Sequence, residues 1–428
     1  MSASTNIRVD GERLWSDVMA FAALTDPDKP YTRRCFTSRF LEGRAWLVRR
    51  FEAAGLSTHV DEGGNLIGRL EGRDPGAGTI LIGSHSDTVP SGGRFDGIAG
   101  ILTGLEVVRV LREHGMRPRS SIELVDFLSE EPSEYGVSCV GSRAMVRQLQ
   151  PSMLALKEPG GEALGDAILR MGGDTRKLDT PSRRDIRAFL ELHIEQGKVL
   201  EATHTDLGII TSIVGIVRLE VIFSGDADHA GTTPVGLRRD TLVAAAATIT
   251  AVRSEAEGRT GSPYFIATTG VIQCEPNAAN VVPSRVRIVI EARSEEPGPL
   301  ADFVKAIDLA SQKAALAANV RRDQFFKLSE SRPAACDKRL RGHLVDAATD
   351  LGLSTLTMAS GAGHDAAFLA HIAPVAMIFV PSRGGRSHCP EEWTGQGQLE
   401  AGCAALYQTV CRVDADENIA LDITNPQT

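Results

Sequence analysis

The chain has 428 residues, of which 42% are hydrophobic and 24% charged, and this composition excludes a disordered or fibrous protein. Its formal net charge of −9 at pH 7 argues against a nucleic-acid partner, because binding the phosphate backbone requires a basic face. The length predicts two domains. The first residues lack a basic stretch followed by an apolar one, and no run of about 18 apolar residues occurs, so we expect a cytoplasmic protein with no membrane partner.

Two buried strands and a connecting helix are predicted in the first third of the chain. The strands are predicted at 79–85 (TILIGSH) and 121–131 (SIELVDFLSEE), which are apolar and rich in branched residues. Between them, apolar residues recur at helical spacing from Ile101 to Leu111, and Gly115 predicts the end of the helix. A strand, a helix and a second strand form the unit from which parallel sheets are built.

Two further buried strands are predicted at 187–197 (RAFLELHIEQG) and 374–382 (PVAMIFVPS). Polar side chains stand at the ends of all four predicted strands. Open α/β sheets bind their ligands beyond the carboxyl ends of the strands. We therefore expect an α/β fold with a mixed, largely parallel sheet, and a functional site at one edge of that sheet.

The middle of the chain has a different pattern and predicts an inserted α+β domain. Segments 217–225 and 285–293 alternate polar and apolar residues, as half-exposed antiparallel strands do. The same region contains a third strand and two helices, predicted at 264–273, 240–257 and 299–318. We expect the inserted domain to span 213–328, with 1–212 and 329–428 forming the catalytic domain.

Side chains that commonly bind metal ions lie at or just after the strand ends, namely His85, Asp96, Glu131, His193 and His388. A single histidine in such a place is more often a surface or core residue than a ligand. Together, these imidazoles and carboxylates suit two borderline divalent metals such as Zn²⁺ or Mn²⁺, with Co²⁺ or Ni²⁺ as further candidates. Because Gly97 imposes little steric demand beside Asp96, we expect the Asp96 carboxylate to bridge the two ions.

Three carboxylates near these ligands are candidates for catalytic roles. Asp87 follows His85 by two residues, on the same face of an extended segment, and can orient the imidazole ring. An aspartate that caps a turn is an equal alternative for Asp87. Glu130 and Glu131 are adjacent, so one can bind metal while the other acts as general base, and we assign Glu131 to the metal and Glu130 to the base. The residues alone leave open the reverse order and an ordinary solvated acidic pair.

These motifs resemble the amidase, hydantoinase and carbamoylase branch of the M20 metallopeptidase family, which includes N-carbamoyl-L-amino acid hydrolases, β-ureidopropionases and allantoate amidohydrolases. The resemblance covers nearly the whole chain in order, through the segments GSHSDTVPSGGRFDGIAGILTGLEV, LELHIEQGKVLE, DADHAGTTPVGLRRD, EPNAANVVPSRV, SGAGHDAAF and MIFVPSRGGRSHCPEEW. HIEQG marks the carbamoylase branch rather than the true peptidases. The resemblance implies a metal-dependent exopeptidase-like catalytic domain and an inserted lid domain through which a homodimer forms.

The same resemblance implies roles for individual residues. It implies one metal ion held by His85, Asp96 and His193, a second held by Asp96, Glu131 and His388, and Glu130 as the catalytic acid and base. It also implies that His229 of the partner subunit donates a hydrogen bond to the developing oxyanion. Arg293 matches the family's carboxylate-binding arginine, whose planar fork pairs with two oxygens. The other implied substrate contacts are Gln196, Asn280, Gly361 and, in a secondary role, His364.

The sequence departs from the family pattern in two places. EEPSEYG carries Pro132 and Tyr135 where the family commonly has a Gly-x-Arg-Phe run, so the habitual substrate cannot simply be carried over. Glu291 stands where aspartate is usual, a change that we expect to have little consequence.

The activity implied is hydrolysis of the C–N bond of N-carbamoyl-L-amino acids or related ureido acids, which gives the amino acid, CO₂ and ammonia. The substrate is expected to be a small molecule that carries a carboxylate. One alternative is an amidohydrolase that acts on N-acyl amino acids or allantoate. Another is a catalytically silent metal-binding protein on the same fold, for which we would expect a ligand or the base to be missing, and neither is.

Overall fold

A computed structural model describes residues 8–261 and 263–419 of the chain. The described chain divides into two compact units. The first unit comprises the chain up to Thr211, Ala335–Ser360 and the chain from His364 onwards, and the second comprises Ser212–Ala334 with Gly361–Gly363. Among the described residues, none of the helices combines the length and the apolar character needed to span a bilayer.

The strands of the described chain are β1 (Ser57–Val60), β2 (Leu66–Leu70), β3 (Thr79–His85), β4 (Ser121–Phe127), β5 (Ile186–Ile194), β6 (Leu207–Ile213), β7 (Gly215–Ser224), β8 (Asp228–His229), β9 (Phe265–Glu275), β10 (Val281–Val282), β11 (Arg285–Ser294), β12 (Arg321–Ser331), β13 (Ala334–Ala335), β14 (Thr355–Ser360) and β15 (Val375–Val380). Its α-helices are α1 (Gly11–Ala22), α2 (Ser38–Ala53), α3 (Ile98–Glu113), α4 (Val140–Met145), α5 (Pro151–Leu154), α6 (Leu164–Arg170), α7 (Val199–Thr203), α8 (Thr241–Glu257), α9 (Pro297–Ala317), α10 (Lys338–Asp350), α11 (Ala366–Leu369) and α12 (Gln396–Ala415).

A nine-stranded mixed sheet forms the centre of the first unit. The strand order is β1-β2-β4-β3-β5-β15-β6-β13, with β14 beside β6. The neighbouring strands β4, β3, β5 and β15 run parallel to one another, whereas β1, β2 and β6 pair antiparallel. All four parallel strands are buried along their whole length, which explains their largely apolar sequences. The predicted α/β fold with a mixed, largely parallel sheet is confirmed.

Three of the predicted strands end earlier than the sequence suggested. The segment predicted at 121–131 is a strand only as far as Phe127, and the residues after it form a loop in which Ser129 has a φ of +53°. Likewise, β5 ends at Ile194 and β15 at Val380. The apolar runs therefore place the strands correctly, and the polar residues that follow each run belong to loops.

The second unit is a four-stranded antiparallel sheet in the order β12-β7-β11-β9, with a separate small pair formed by β8 and β10. Helices α8 and α9 pack on one face of the larger sheet and bury residues such as Val286, Ile288 and Phe303. Burial alternates regularly along β11, as its sequence predicts. The inserted domain predicted at 213–328 ends within β12. This strand is exposed and polar, so the sequence does not show where the strand ends. The lid and dimer roles of this region remain predictions.

Candidate metal centre

The five predicted metal ligands lie at the carboxyl ends of the parallel strands in the first unit. His85 is the last residue of β3, and His193 is the last but one of β5. Asp96 precedes α3, Glu131 lies in the loop after β4, and His388 follows β15. Because β4, β3, β5 and β15 are adjacent and parallel, their carboxyl ends meet at one edge of the sheet.

The first group of candidate ligands consists of His85, Asp96 and His193. Their ligating atoms all lie within 4.8 Å of one another. The Oδ1 atom of Asp96 is 3.1 Å from His193 Nε2 and 3.6 Å from His85 Nε2. All three side chains are buried, so water competes little for their donor atoms.

The second group consists of Asp96, Glu131 and His388. The Nε2 atom of His388 lies 3.0 Å from Asp96 Oδ2 and 3.0 Å from Glu131 Oε1. Asp96 thus faces one group with each of its two oxygens, which is the arrangement expected of a bridging carboxylate. Imidazole nitrogens and carboxylate oxygens in this proportion fit borderline divalent metals. His388 is the only one of the five ligands that is exposed, with 48% of its side chain accessible.

Glu130 and Glu131 point in different directions. While Glu131 faces His388, the Oε2 atom of Glu130 lies 3.7 Å from His85 Nε2. The other Glu130 oxygen, Oε1, lies 3.4 Å from the Sγ atom of Cys139. Glu130 is thus close to the first group of ligands without belonging to it, which leaves it available for proton transfer.

Asp87 contacts both the His85 imidazole and the loop that carries the two glutamates. Its carboxylate accepts hydrogen bonds from the backbone N–H groups of Glu130 (3.3 Å) and Glu131 (3.2 Å). The Nδ1 atom of His85 lies 3.0 Å from the Asp87 backbone carbonyl and 3.6 Å from its carboxylate. The main-chain carbonyl of Asp87 therefore contacts the imidazole with the carboxylate close by, and the carboxylate also holds the glutamate loop. That Asp87 orients the imidazole stays a prediction.

The ionisation of the buried groups reflects their mutual contacts in the metal-free protein. Burial raises the pKa of Glu130 well above its ordinary value, and the Glu131 carboxylate raises it further. Burial alone would raise the pKa of Asp96, but hydrogen bonds from the surrounding histidines hold it well below its usual range. Hydrogen bonds to Asp96 and Glu131 raise the pKa of His388 to about 11. A carboxyl group with a raised pKa is suited to exchange protons near neutral pH.

Glu392 supports the site and was not identified from the sequence. Its Oε1 atom accepts hydrogen bonds from the backbone N–H groups of Phe95 (2.8 Å) and Asp96 (3.1 Å). Ser387 donates a hydrogen bond of 2.7 Å to the other oxygen. Burial and the Asp96 carboxylate raise the pKa of Glu392 to about 6. The only signal for Glu392 in the sequence is its place as the second glutamate of CPEEW, four positions after His388. This position does not indicate that the side chain is buried.

Gly97 satisfies a strict steric requirement beside Asp96. Its φ is +67°, and a Cβ atom at this position would lie 2.4 Å from the His85 carbonyl oxygen and 2.5 Å from His85 Nε2. No other residue fits without moving the His85 ring. The glycine that the sequence suggested for close approach to Asp96 therefore also makes room for His85.

Two other predicted site residues lie beside the metal ligands in the first unit. The Nε2 atom of Gln196 donates a hydrogen bond of 3.0 Å to Asp96 Oδ2. The His364 ring packs edge-on against the His193 ring at a centroid distance of 4.6 Å, and its Nε2 atom is 2.9 Å from Ser360 Oγ. Burial, with a further contribution from His193, holds the pKa of His364 well below its ordinary value, so this ring is neutral.

The remaining predicted substrate contacts belong to the second unit. His229 lies in β8 and pairs with β10 next to Asn280, whose carbonyl accepts a hydrogen bond from Ala230. Arg293 lies in β11, where its Nη1 atom donates a hydrogen bond of 2.6 Å to the carbonyl of Gly361. The structure thus brings the predicted residues of the second unit together in two pairs, His229 with Asn280 and Arg293 with Gly361.

Comparison with known proteins gives consistent matches. The family model for peptidase family M20/M25/M40 matches residues 81–412. The chain is 37% identical to the N-carbamoyl-L-amino acid amidohydrolase of Geobacillus stearothermophilus, over 96% of this chain and 100% of that protein. It is 35% identical to the allantoate amidohydrolase of Bacillus subtilis strain 168, over 89% of this chain and 92% of that protein. The crystal structure of an amidase of the hydantoinase/carbamoylase family from Burkholderia multivorans superposes with a TM-score of 0.89 at 33% identity, covering 96% of this chain and 100% of that one.

Proposed function

The chain belongs to peptidase family M20/M25/M40, and it matches two amidohydrolases over nearly their full length. We therefore propose that it hydrolyses the C–N bond of N-carbamoyl-L-amino acids or related ureido acids. The products are the amino acid, CO₂ and ammonia. The single observation that carries the proposal is Asp96, which stands between two groups of metal-binding side chains with Glu130 beside them. The family suggested by the sequence motifs is confirmed.

Two divalent metal ions per subunit are part of this proposal. One would be held by His85, Asp96 and His193 and the other by Asp96, Glu131 and His388, with Zn²⁺ or Mn²⁺ as the first candidates and Co²⁺ or Ni²⁺ as alternatives. When bound, such ions polarise a carbonyl group and lower the pKa of water. The donor atoms already lie within 4.8 Å of one another in each group, so little rearrangement is needed for binding.

The side chains around these ligands have distinct roles. Glu130 takes the proton from the attacking water and delivers it to the leaving nitrogen, and its raised pKa suits both steps. Asp87 fixes Glu130 through the hydrogen bond to its backbone, and Glu392 fixes Asp96 in the same way. His364 is neutral and packs against His193, so it keeps this ligand in place and offers a secondary substrate contact.

The substrate carboxylate is assigned to Arg293, whose side chain is 27% exposed. Asn280 and Gln196 contact the amide part of the substrate. His229 of the partner subunit donates a hydrogen bond to the oxygen that becomes negatively charged. This assignment requires a homodimer formed through the second unit. The proposed location of the enzyme is the cytoplasm.

Ammonia release from a panel of substrates tests the proposal. The panel contains N-carbamoyl-L-amino acids, ureidopropionate, allantoate and N-acetyl-L-amino acids, assayed after reconstitution with Mn²⁺ or Zn²⁺. Glu130→Gln should lower kcat by about 10²- to 10⁴-fold while metal content is retained. Glu134→Gln, an exposed glutamate in the same segment, is the matched control. Full turnover by the Glu130→Gln variant would remove Glu130 from its assigned role.

Allantoate is the second candidate substrate, because an allantoate amidohydrolase is among the similar relatives.

The EEPSEYG segment, which departs from the family pattern, is held by its own contacts in the first unit. Tyr135 is buried against Phe36, and its hydroxyl donates a hydrogen bond of 2.8 Å to Glu162. Release of amino acid without ammonia, from N-acetyl substrates alone, would favour the N-acyl amidohydrolase instead.

A further inference from the structure

Three charged side chains form a chain of hydrogen bonds on the face of the second unit's sheet that is opposite its helices. Arg218 in β7 pairs directly with Glu291 in β11, and Arg293 follows two residues later on the same face. Arg218 Nε donates a hydrogen bond of 2.6 Å to Glu291 Oε2. The other oxygen of Glu291, Oε1, lies 2.8 Å from Arg293 Nε and 2.6 Å from Arg293 Nη2.

These contacts leave a defined part of the Arg293 guanidinium free. The group has five N–H bonds. Glu291 accepts the one on Nε, and the Gly361 carbonyl accepts one from Nη1 at 2.6 Å. Nη2 lies 2.6 Å from Glu291 Oε1 as part of the ion pair. At least one N–H therefore remains on each terminal nitrogen, and together these can pair with both oxygens of a carboxylate.

The net charge of these three side chains also favours binding of an anion. Arg218, Glu291 and Arg293 together carry one net positive charge, whereas Glu291 and Arg293 alone would carry none. The contact with Arg218 also occupies the Oε2 atom of Glu291. Without Arg218, this oxygen would be free to turn towards Arg293 and occupy an N–H that a ligand needs.

We infer that Arg218 and Glu291 are positioning residues of a carboxylate-binding site centred on Arg293. Glu291 and the Gly361 carbonyl hold the guanidinium in one orientation, and Arg218 holds Glu291 and offsets its charge. The inference rests on the proposed function for the identity of the ligand, which is the carboxylate of a ureido acid. It also gives Glu291 a role, in place of the expectation that glutamate at this position has little consequence, because this side chain contacts both arginines.

The test compares a charged substrate with its neutral analogue in the Arg218→Gln variant. The KM for N-carbamoyl-L-alanine should rise about two- to fivefold, a modest effect because Arg218 is 47% exposed. The KM for N-carbamoyl-L-alaninamide, which lacks the carboxylate, should not change. A structural defect would affect both substrates equally, and that result would overturn the inference.

Arg287→Gln is the matched control for this variant. Arg287 lies on the same face of β11 and is bound to Glu220, so its loss changes the protein charge by the same amount. It is six residues from Arg293 along the strand, or about 20 Å, which is beyond the Debye length of about 8 Å at physiological salt. Arg287→Gln should leave both KM values unchanged, and a rise equal to that of Arg218→Gln would refute a specific role for Arg218.

Two further measurements separate this inference from the proposed function. In a Glu291→Gln background, Arg218→Gln should have a smaller effect, because no carboxylate is left to turn towards Arg293. An equal effect in both backgrounds would overturn the inference.

Calorimetric titration with isobutyrate and isobutyramide measures binding of a carboxylate and of its neutral analogue without any turnover. Arg218→Gln should weaken isobutyrate binding about two- to fivefold and leave isobutyramide unaffected. Failure of the unaltered protein to bind isobutyrate would refute the site, whereas isobutyrate binding without ammonia release would refute only the proposed function.

Discussion

Replacing Glu392 by alanine removes the acceptor for two buried backbone N–H groups, those of Phe95 and Asp96. The space left behind is closed to solvent, because Glu392 is fully buried. The two N–H groups then lose their hydrogen-bond partner. The same change frees the backbone that carries Asp96, so metal affinity should fall together with stability.

The magnitude of the effect depends on pH. Each buried N–H left without a partner costs about 1–3 kcal/mol, so the loss of both costs about 2–6 kcal/mol. Opposing this, the raised pKa of about 6 against an ordinary 4.5 means that ionised Glu392 itself costs the folded protein about 2 kcal/mol. The stabilising contribution of Glu392 is therefore fully present below pH 4.5 and declines as the pH rises through 6. Alanine should be more destabilising at pH 5 than at pH 8, by about 1 kcal/mol.

Urea denaturation of the metal-free protein, followed by tryptophan fluorescence, measures this effect. All three tryptophans, Trp15, Trp46 and Trp393, lie in the first unit, so the signal reports on the unit that contains Glu392. Glu392→Gln keeps an acceptor oxygen without the charge and should change stability by less than about 1 kcal/mol at pH 5. A loss for Glu392→Ala that is below about 0.5 kcal/mol at pH 5, or that is the same at both pH values, would refute the reasoning.

Two other predictions concern the metal ligands. Gly97→Ala should lower the affinity for metal and the activity together, because the new Cβ atom would lie 2.5 Å from His85 Nε2, and equilibrium dialysis that shows unchanged metal content would contradict this. Metal uptake at pH 7 should release protons, because the pKa of His388 is raised to about 11 in the metal-free protein and a ligating imidazole must be neutral, so apparent affinity should rise with pH. Calorimetry in buffers with different ionisation enthalpies detects these protons, and an enthalpy independent of the buffer would argue against their release.

Much of the architecture follows from the pattern of apolar residues. The four buried parallel strands stand out because both of their faces are covered, and the alternation in β11 reveals a sheet with one open face. The first two helices were not predicted, although Leu14, Val18 and Phe21 are spaced along one face of α1. There, capping by Asp10 is the additional signal that marks the start of the helix.

The metal ligands were predictable because parallel strands bring their carboxyl ends to one edge. The supporting residues were not, since their roles depend on contacts between distant segments. Nothing in the sequence around Glu392 indicates that it accepts hydrogen bonds from the backbone some 300 residues earlier, at Asp96. The pairing of Glu291 with Arg218 depends on the register of β7 and β11, which the sequence does not specify.

The small Gly361–Gly363 segment limits how this protein can exchange parts with its relatives during evolution or in the laboratory. It belongs to the second unit, although the chain on both sides of it belongs to the first. A chimaera that transfers only residues 212–334 would combine Arg293 with the 361–363 segment of another protein, instead of the segment whose Gly361 carbonyl it is bonded to here. Functional recombinants should therefore exchange both segments together, and the two segments should vary in concert among homologous sequences.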